Sequence, residues 1–284
     1  MTVGIIDLQR NTDENRPEIY WADLNYFDDY YVARVGFFPD NSLALQIENR
    51  KQTKLQLFRY DFLTNKTMKL LIDETSEAWI NLHDFFYPLK SMTNHFLWAS
   101  EQTGYMHLEL RDATDGSLVK TLTSGTWVVQ NLVGVDEINR KVYFLANRET
   151  PVEIHLYSVN YDDQPSIVDQ ITQDSGCHNI YSFNQSYEYC LNQWNSIHQY
   201  PVVRLLDVKN KTVVKVFEHL QQKSSFMMNS FHFVIPNIFP ILNRHGDQLY
   251  CALYQPDDQH VRYSVPYPTL ISVYGGPRLQ RLRN

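Results

Sequence analysis

The sequence predicts a mainly β protein built from a repeated four-stranded unit, and three observations carry that prediction. The first is composition. Of 284 residues, 43% are hydrophobic and 14% aromatic, with 19 Tyr and 15 Phe, a content that suits pleated, half-buried strands and lies far from that of a disordered chain. The second is local pattern: short alternating or β-branched runs are bounded by Gly, Asn and Asp turns. The third is recurrence, because the runs return at intervals of roughly 45 to 50 residues, the period of a propeller blade.

Taken in order, the first thirty residues are polar and close on an aromatic, acidic cluster from Tyr20-Trp21 to Tyr30-Tyr31. The first unit then runs from Val32 to Asp40, through strands at Leu43–Ile47 and Leu55–Tyr60, to a turn at Asn65 and a closing segment at Leu70–Asp73 before Trp79. A second has His95–Ser100, a turn at Gly104, Met106–Arg111, the turn Asp115-Gly116 and the closing Thr121–Gly125 before Trp127. A third has Val142–Ala146, Ile154–Val159 and Gln170–Thr172 before Gly176, and a fourth has Tyr187–Leu191, Val202–Asp207 and the turn Asn210-Lys211. Four to five blades are thus visible. A propeller closes with more, so the ring is expected to begin before Met1. A β-sandwich with coincident spacing is the competing fold.

The pattern then changes. Val213–Gln222 reads as a strand running into a short helix, and Lys223-Ser224-Ser225 as a boundary. Phe231–Val234, a stretch with Pro236 and Pro240, and Leu249–Pro256 read as strands. Tyr267–Pro277 reads as a buried strand ending at Gly275-Gly276-Pro277, where a sharp turn needs glycine. Seven residues follow Pro277, too few to cover such a strand, so the chain is expected to stop part-way into a domain. The expected organisation is a partial propeller over 1–225 and the start of a second domain over 226–284.

A net charge of -7 argues against a nucleic-acid surface. No apolar run approaches the roughly 20 residues of a membrane span, and Met1–Asp7 lacks the basic flank and apolar core of a signal peptide. Three cysteines, Cys177, Cys190 and Cys251, cannot form a paired disulfide framework, which favours a reducing compartment, the cytoplasm. Ten histidines stand singly, without His-x-x-x-His or Cys-x-x-Cys spacing, and no Gly-Lys-Ser or Gly-Lys-Thr follows Gly275-Gly276, so neither a metal nor a cofactor is expected. Asn65-Lys66-Thr67, Asn184-Gln185-Ser186 and Asn210-Lys211-Thr212 are glycosylation sequons, which in a cytosolic protein are turn residues.

The stretch from Leu249-Tyr250 to Tyr267-Pro-Thr-Leu-Ile-Ser-Val-Tyr-Gly-Gly-Pro277 resembles the entry into the α/β-hydrolase domain of dipeptidyl peptidases of the prolyl oligopeptidase clan. Trp79–Pro88, Leu122–Trp127 and Thr150–Tyr157 resemble the propeller of that family's cytosolic branch, dipeptidyl peptidases eight and nine. The likeness covers most of residues 30–280, with the motifs in the family's order. It implies a propeller followed by the first strands of the hydrolase domain. In an intact enzyme it also implies an acyl-serine mechanism releasing Xaa-Pro or Xaa-Ala dipeptides from peptide substrates, and a homodimer.

At Tyr274 the resemblance implies an oxyanion-hole donor, whereas the residue type alone says only that a strand-end tyrosine hydroxyl finds a partner. His83 and Asp84 fall where relatives border the substrate cleft, though as residues they read equally as a surface turn. The chain has no Gly-x-Ser-x-Gly, none of the triad that follows that serine, and no adjacent Glu-Glu to hold a substrate amino terminus. It is therefore expected to be inactive alone. The alternative is a catalytically inactive propeller module that binds a partner protein through its loops.

Overall fold

The computed structural model of the chain describes residues 3–6, 19–24, 28–62, 66–217, 234–256, 267–275 and 282–284. These residues form twenty strands, and none of them lies in a helix. The chain divides into two compact units, Met1–Ser124 and Gly125–Asn284.

The first unit opens with a two-stranded sheet, β1 (Gly4–Ile6) paired with β2 (Ile19–Trp21). A four-stranded antiparallel meander follows: β3 (Tyr30–Phe37), β4 (Leu43–Asn49), β5 (Lys54–Asp61) and β6 (Thr67–Thr75). Leu43 to Glu48 of β4 are buried without interruption, as a strand packed on both faces should be. On β5, Leu55 and Leu57 bury one face and Phe58 and Tyr60 the other, each pair in its own core cluster. The second meander is β7 (Tyr87–Pro88), β8 (His95–Ser100), β9 (His107–Asp112) and β10 (Leu118–Thr121). One core joins the two meanders, with Leu55, Leu57, Leu71 and Ile72 packed together with Phe96, Trp98 and Ala113. The turn before β10 presses on β6 so closely that a Cβ on Gly116 would lie 1.7 Å from the Leu71 carbonyl oxygen, and its φ is +79°. No residue with a side chain fits there.

The second unit repeats the plan. It contains β11 (Val129–Asp136), β12 (Lys141–Ala146), β13 (His155–Asn160) and β14 (Val168–Gln170), then β15 (Cys177–Phe183), β16 (Tyr189–Ser196), β17 (Gln199–Asp207) and β18 (Thr212–Val216). In each sheet neighbours in sequence are neighbours in space. That is the blade pattern rather than the exchange of strands between sheets in a Greek-key sandwich. A two-stranded sheet, β19 (Asn237–Leu242) and β20 (Gln248–Leu253), follows.

One device recurs in both units. The Thr123 hydroxyl accepts from Leu108 N (2.9 Å) and meets His107 Nδ1 (3.0 Å), and Thr172 does the same for Leu156 N (3.0 Å) and His155 Nδ1 (3.3 Å). At His155, whose Nε2 faces the Glu153 carboxylate and so keeps the ring proton, the Thr172 hydroxyl proton goes to Nδ1. The closing segment of the blade is thereby tied to its third strand.

Two expectations are corrected. Tyr267–Gly275 carries no strand pairing, and Leu270, Ile271 and Val273 lie exposed at 93, 81 and 82%. A strand exists by its ladder, and none of the described residues offers one to this segment. Val234 is likewise outside any strand. Gly276, Pro277, the turn at Asn65, the boundary at 223–225, residues 231–233 and the short helix expected after Val216 at 218–222 lie outside the described residues.

Candidate functional site

Trp79 to Pro88 cross from the first meander to the second with almost no regular pairing, so their side chains are held by specific contacts. Trp79 Nε1 donates to Asn81 Oδ1 (3.0 Å), and Asn81 Nδ2 donates to both carboxylate oxygens of Glu101 (3.1 and 2.9 Å). His83 and Asp84, adjacent in sequence, go opposite ways. His83 is buried, its ring edge-on to Trp98 at 4.6 Å and 5.3 Å from Phe85. Trp98 in turn donates Nε1–H to Glu74 Oε1 (2.9 Å). Burial raises the Glu74 carboxyl above its ordinary value, against the hydrogen bonds from Trp98 and Ser100.

Asp84 faces solvent and pairs with Arg34 Nε of β3 at 2.6 Å. An exposed pair of this kind contributes little stability, so its consequence is geometric: it fixes two charges at the mouth of a cavity of about 260 Å³. Arg34, Gly36, Gln46, Asp84, Phe86 and Pro88 are among its lining. Gly36 lets the Phe86 ring approach β3 closely, since a Cβ there would lie 3.3 Å from that ring.

Tyr274 lies in the exposed stretch 267–275, itself 50% exposed. The three named residues thus occupy different settings: one in a core, one at a cavity mouth, and one on a segment without sheet pairing.

A second polar cluster, not anticipated from the sequence, lies in the second unit. His155 Nε2 donates to Glu153 Oε2 (3.1 Å), and its ring stands 5.1 Å from that of His178. Burial pushes the Glu153 carboxyl up, but hydrogen bonds from Ser175, His155 and Asn284 outweigh it and leave the pKa lowered. His178 Nε2 donates to the Asp174 carbonyl (2.9 Å), and Nδ1 faces Asn192 Oδ1 at 3.3 Å. Arg204 binds Asp174 (2.6 Å) and the same Asn192 oxygen (3.3 Å), with its guanidinium 4.5 Å over Trp194. Burial drives the His178 pKa down to about 4, so the ring is neutral near pH 7. This cluster is a buried structural knot in which most polar atoms are bonded, Arg204 Nε being buried without a partner. Among the described residues no group of three or more His, Cys, Asp or Glu is arranged to hold a metal. The three cysteines are free; Cys190 is buried, which pushes its thiol up to about 12, while Cys177 and Cys251 are half-buried.

Residues 1–201 match the family described as the dipeptidyl peptidase IV N-terminal region. Human dipeptidyl peptidase 8 is 27% identical over 307 aligned residues, covering 89% of this chain and 34% of its own. A probable dipeptidyl peptidase 4 of Aspergillus fumigatus is 24% identical over 296 residues, covering 99% of this chain and 36% of its own. The crystal structure of Porphyromonas gingivalis dipeptidyl peptidase 4 superposes with a TM-score of 0.69 over 90% of this chain and 39% of that one, at 18% identity. The chain therefore spans about a third of the length of these curated relatives. The shared fold makes the four meanders propeller blades. No helix among the described residues is long and apolar enough to cross a membrane.

Proposed function

The chain belongs to the dipeptidyl peptidase IV family, and from that premise we propose that it is the non-catalytic propeller portion of a serine-type post-proline dipeptidyl aminopeptidase. The observation that carries the reading is the run of four consecutive antiparallel blades ending before a stretch of different character. Residues 1–225 supply the propeller, and 226–284 the first segments of the hydrolase domain. In the intact enzyme a serine hydroxyl attacks the carbonyl of the second residue, Pro or Ala; its proton passes through a base to the leaving amine, and water then hydrolyses the acyl-serine to free the dipeptide. This chain's contribution is to shape the chamber and to supply one donor.

That donor is Tyr274. A phenol preorganised toward the developing oxyanion in a dry site lowers the barrier by roughly 3 to 4 kcal/mol, and a half-exposed tyrosine becomes such a donor only once the site around it excludes water. Asp84, held by Arg34, borders the substrate cleft. Assembly as a homodimer and residence in the cytoplasm complete the reading; the latter is supported by the unpaired cysteines.

A second reading, a module that binds a partner protein, draws on the exposed apolar side chains Leu242, Leu249 and Tyr254 of the β19–β20 region. Intact-mass and peptide-mapping spectrometry of the natural polypeptide, joined to a Gly-Pro reporter assay, separates the two. A species about three times this length that releases the dipeptide supports the peptidase. A species of this chain's length without turnover contradicts it and leaves the binding module.

A further inference from the structure

The edge of the first four-stranded blade is open. β3 pairs with β4 on one side, and no strand among the described residues pairs with its other side. Because Phe38 N bonds Ser42 O, antiparallel alternation turns Gly36 and Arg34 toward β4. It leaves the N–H and C=O groups of Val35 and Phe37 facing outward. Both residues are about half exposed, at 51 and 53%. An edge of this kind is a ready template for another extended chain.

What distinguishes this edge is the cavity behind it. Gln46 on β4 stands opposite Arg34 and lines the cavity. It is 4% exposed, and its Oε1 is buried without a hydrogen-bond partner. A buried amide left in that state is costly, and rotation about its terminal torsion presents either end to the cavity. Gly36, between the edge and Gln46, adds no side chain to the lining, and the edge of the Phe86 ring packs beside it. The walls, Phe86 and Pro88, are apolar, and the charges at the mouth, Arg34 and Asp84, neutralise one another. A charged side chain would therefore find no counter-charge inside, whereas a carboxamide matches Gln46 donor for acceptor and acceptor for donor.

We propose that the outer edge of β3 docks an extended segment of a partner protein, which adds to the blade as a strand and places an Asn or Gln carboxamide across Gly36 against Gln46. The segment's backbone pairs with Val35 and Phe37, giving affinity, and the cavity reads one side chain, giving selectivity. The site is separate from any chemistry at Tyr274 and does not depend on the peptidase reading.

The test uses the full chain and a peptide whose amino terminus is blocked by the label itself, fluorescein-Thr-Val-Gln-Val-Thr-amide, followed by anisotropy. Two control peptides carry N-methyl groups at both Val residues or Leu in place of Gln. A Gln46→Met variant of the protein removes the amide at similar volume. The expected result is saturable binding, weakened about tenfold or more by N-methylation, by Gln→Leu in the peptide, and by Gln46→Met. If Gln46→Met fails to fold, the two control peptides decide the matter alone. No saturable binding up to about 1 mM, or binding that any of these changes leaves unaltered, overturns the proposal. The blocked amino terminus keeps the probe from being an aminopeptidase substrate. Binding without dipeptide release from the natural protein therefore sinks the peptidase reading alone, and release without binding sinks this one alone.

Discussion

Acidification should loosen the second unit through His178, and the size of the effect follows from which of two opposed influences prevails. Both ring nitrogens face acceptors, the Asp174 carbonyl at 2.9 Å and Asn192 Oδ1 at 3.3 Å, an arrangement that welcomes a second proton. Burial, with Arg204 and His155 nearby, opposes it and wins, taking the pKa from 6.5 to about 4. The folded state then binds that proton less well than the unfolded chain. The stability that the neutral ring contributes is complete above pH 6.5 and is lost as pH falls from there through 4. Each unit of pKa difference is worth about 1.4 kcal/mol, so about 2 kcal/mol is gone by pH 5 and about 3 by pH 4. Urea unfolding of the chain at pH 7.5 and 5.0, beside a His178→Gln variant, reads this directly. The variant's loss between the two pH values should be smaller than the parent's by about 2 kcal/mol. An equal loss in both proteins, or an NMR titration placing His178 at or above 6.5, would mean that the acceptors outweigh burial and that His178 does not couple stability to pH in this way.

Three further outcomes are expected. Glu74 holds its proton more tightly folded than unfolded, so Glu74→Gln should leave stability at pH 7 unchanged or raised by up to about 1 kcal/mol. Glu74→Leu, which strands the Trp98 N–H, should cost about 1 to 3 kcal/mol in the same urea assay. Gly116→Ala forces a methyl against the Leu71 carbonyl and should destabilise by at least about 2 kcal/mol, seen as a lowered thermal midpoint. In the natural full-length protein, Tyr274→Phe should lower kcat on a Gly-Pro reporter by roughly 100-fold or more with the fold intact by circular dichroism; unchanged kcat removes Tyr274 from the chemistry.

The strands that the sequence revealed most clearly are unbroken apolar runs bounded by turn residues, buried almost end to end in β4, β8 and β12. His95–Ser100 matches β8 end to end, and Leu43, Leu55 and Val142 fall at or beside the starts of β4, β5 and β12. Strands β11 and β15 went unread. Each opens its blade, and each carries register shifts, at Val129/Asn131 and Leu132/Gly134 in β11 and at Ile180/Ser182 in β15. A bulge adds a residue and flips the inward face midway, which erases the period of two. The Tyr267–Val273 run fails for the opposite reason: its pattern is strand-like, but a pattern makes a strand only where a neighbouring edge accepts it.

The site was legible in part. His83-Asp84 attracted attention as a pair, yet what gives each its character comes from far along the chain, Trp98 for one and Arg34, fifty residues upstream, for the other. Gln46 has no sequence signal, because a glutamine in an apolar run becomes notable only when its oxygen is found buried without a partner. The His155–His178 knot was hidden similarly, though the repeated His-Leu followed by Leu-Thr or Ile-Thr at matching places in two blades was there to be noticed.

The most direct test of the central claim is turnover by the purified chain of 284 residues. With a Gly-Pro reporter and a fluorophosphonate serine probe, the account predicts no release above background and no covalent adduct. Hydrolysis that scales with chain concentration, blocked by the probe and accompanied by one labelled serine, would contradict the assignment of this chain as the non-catalytic propeller portion.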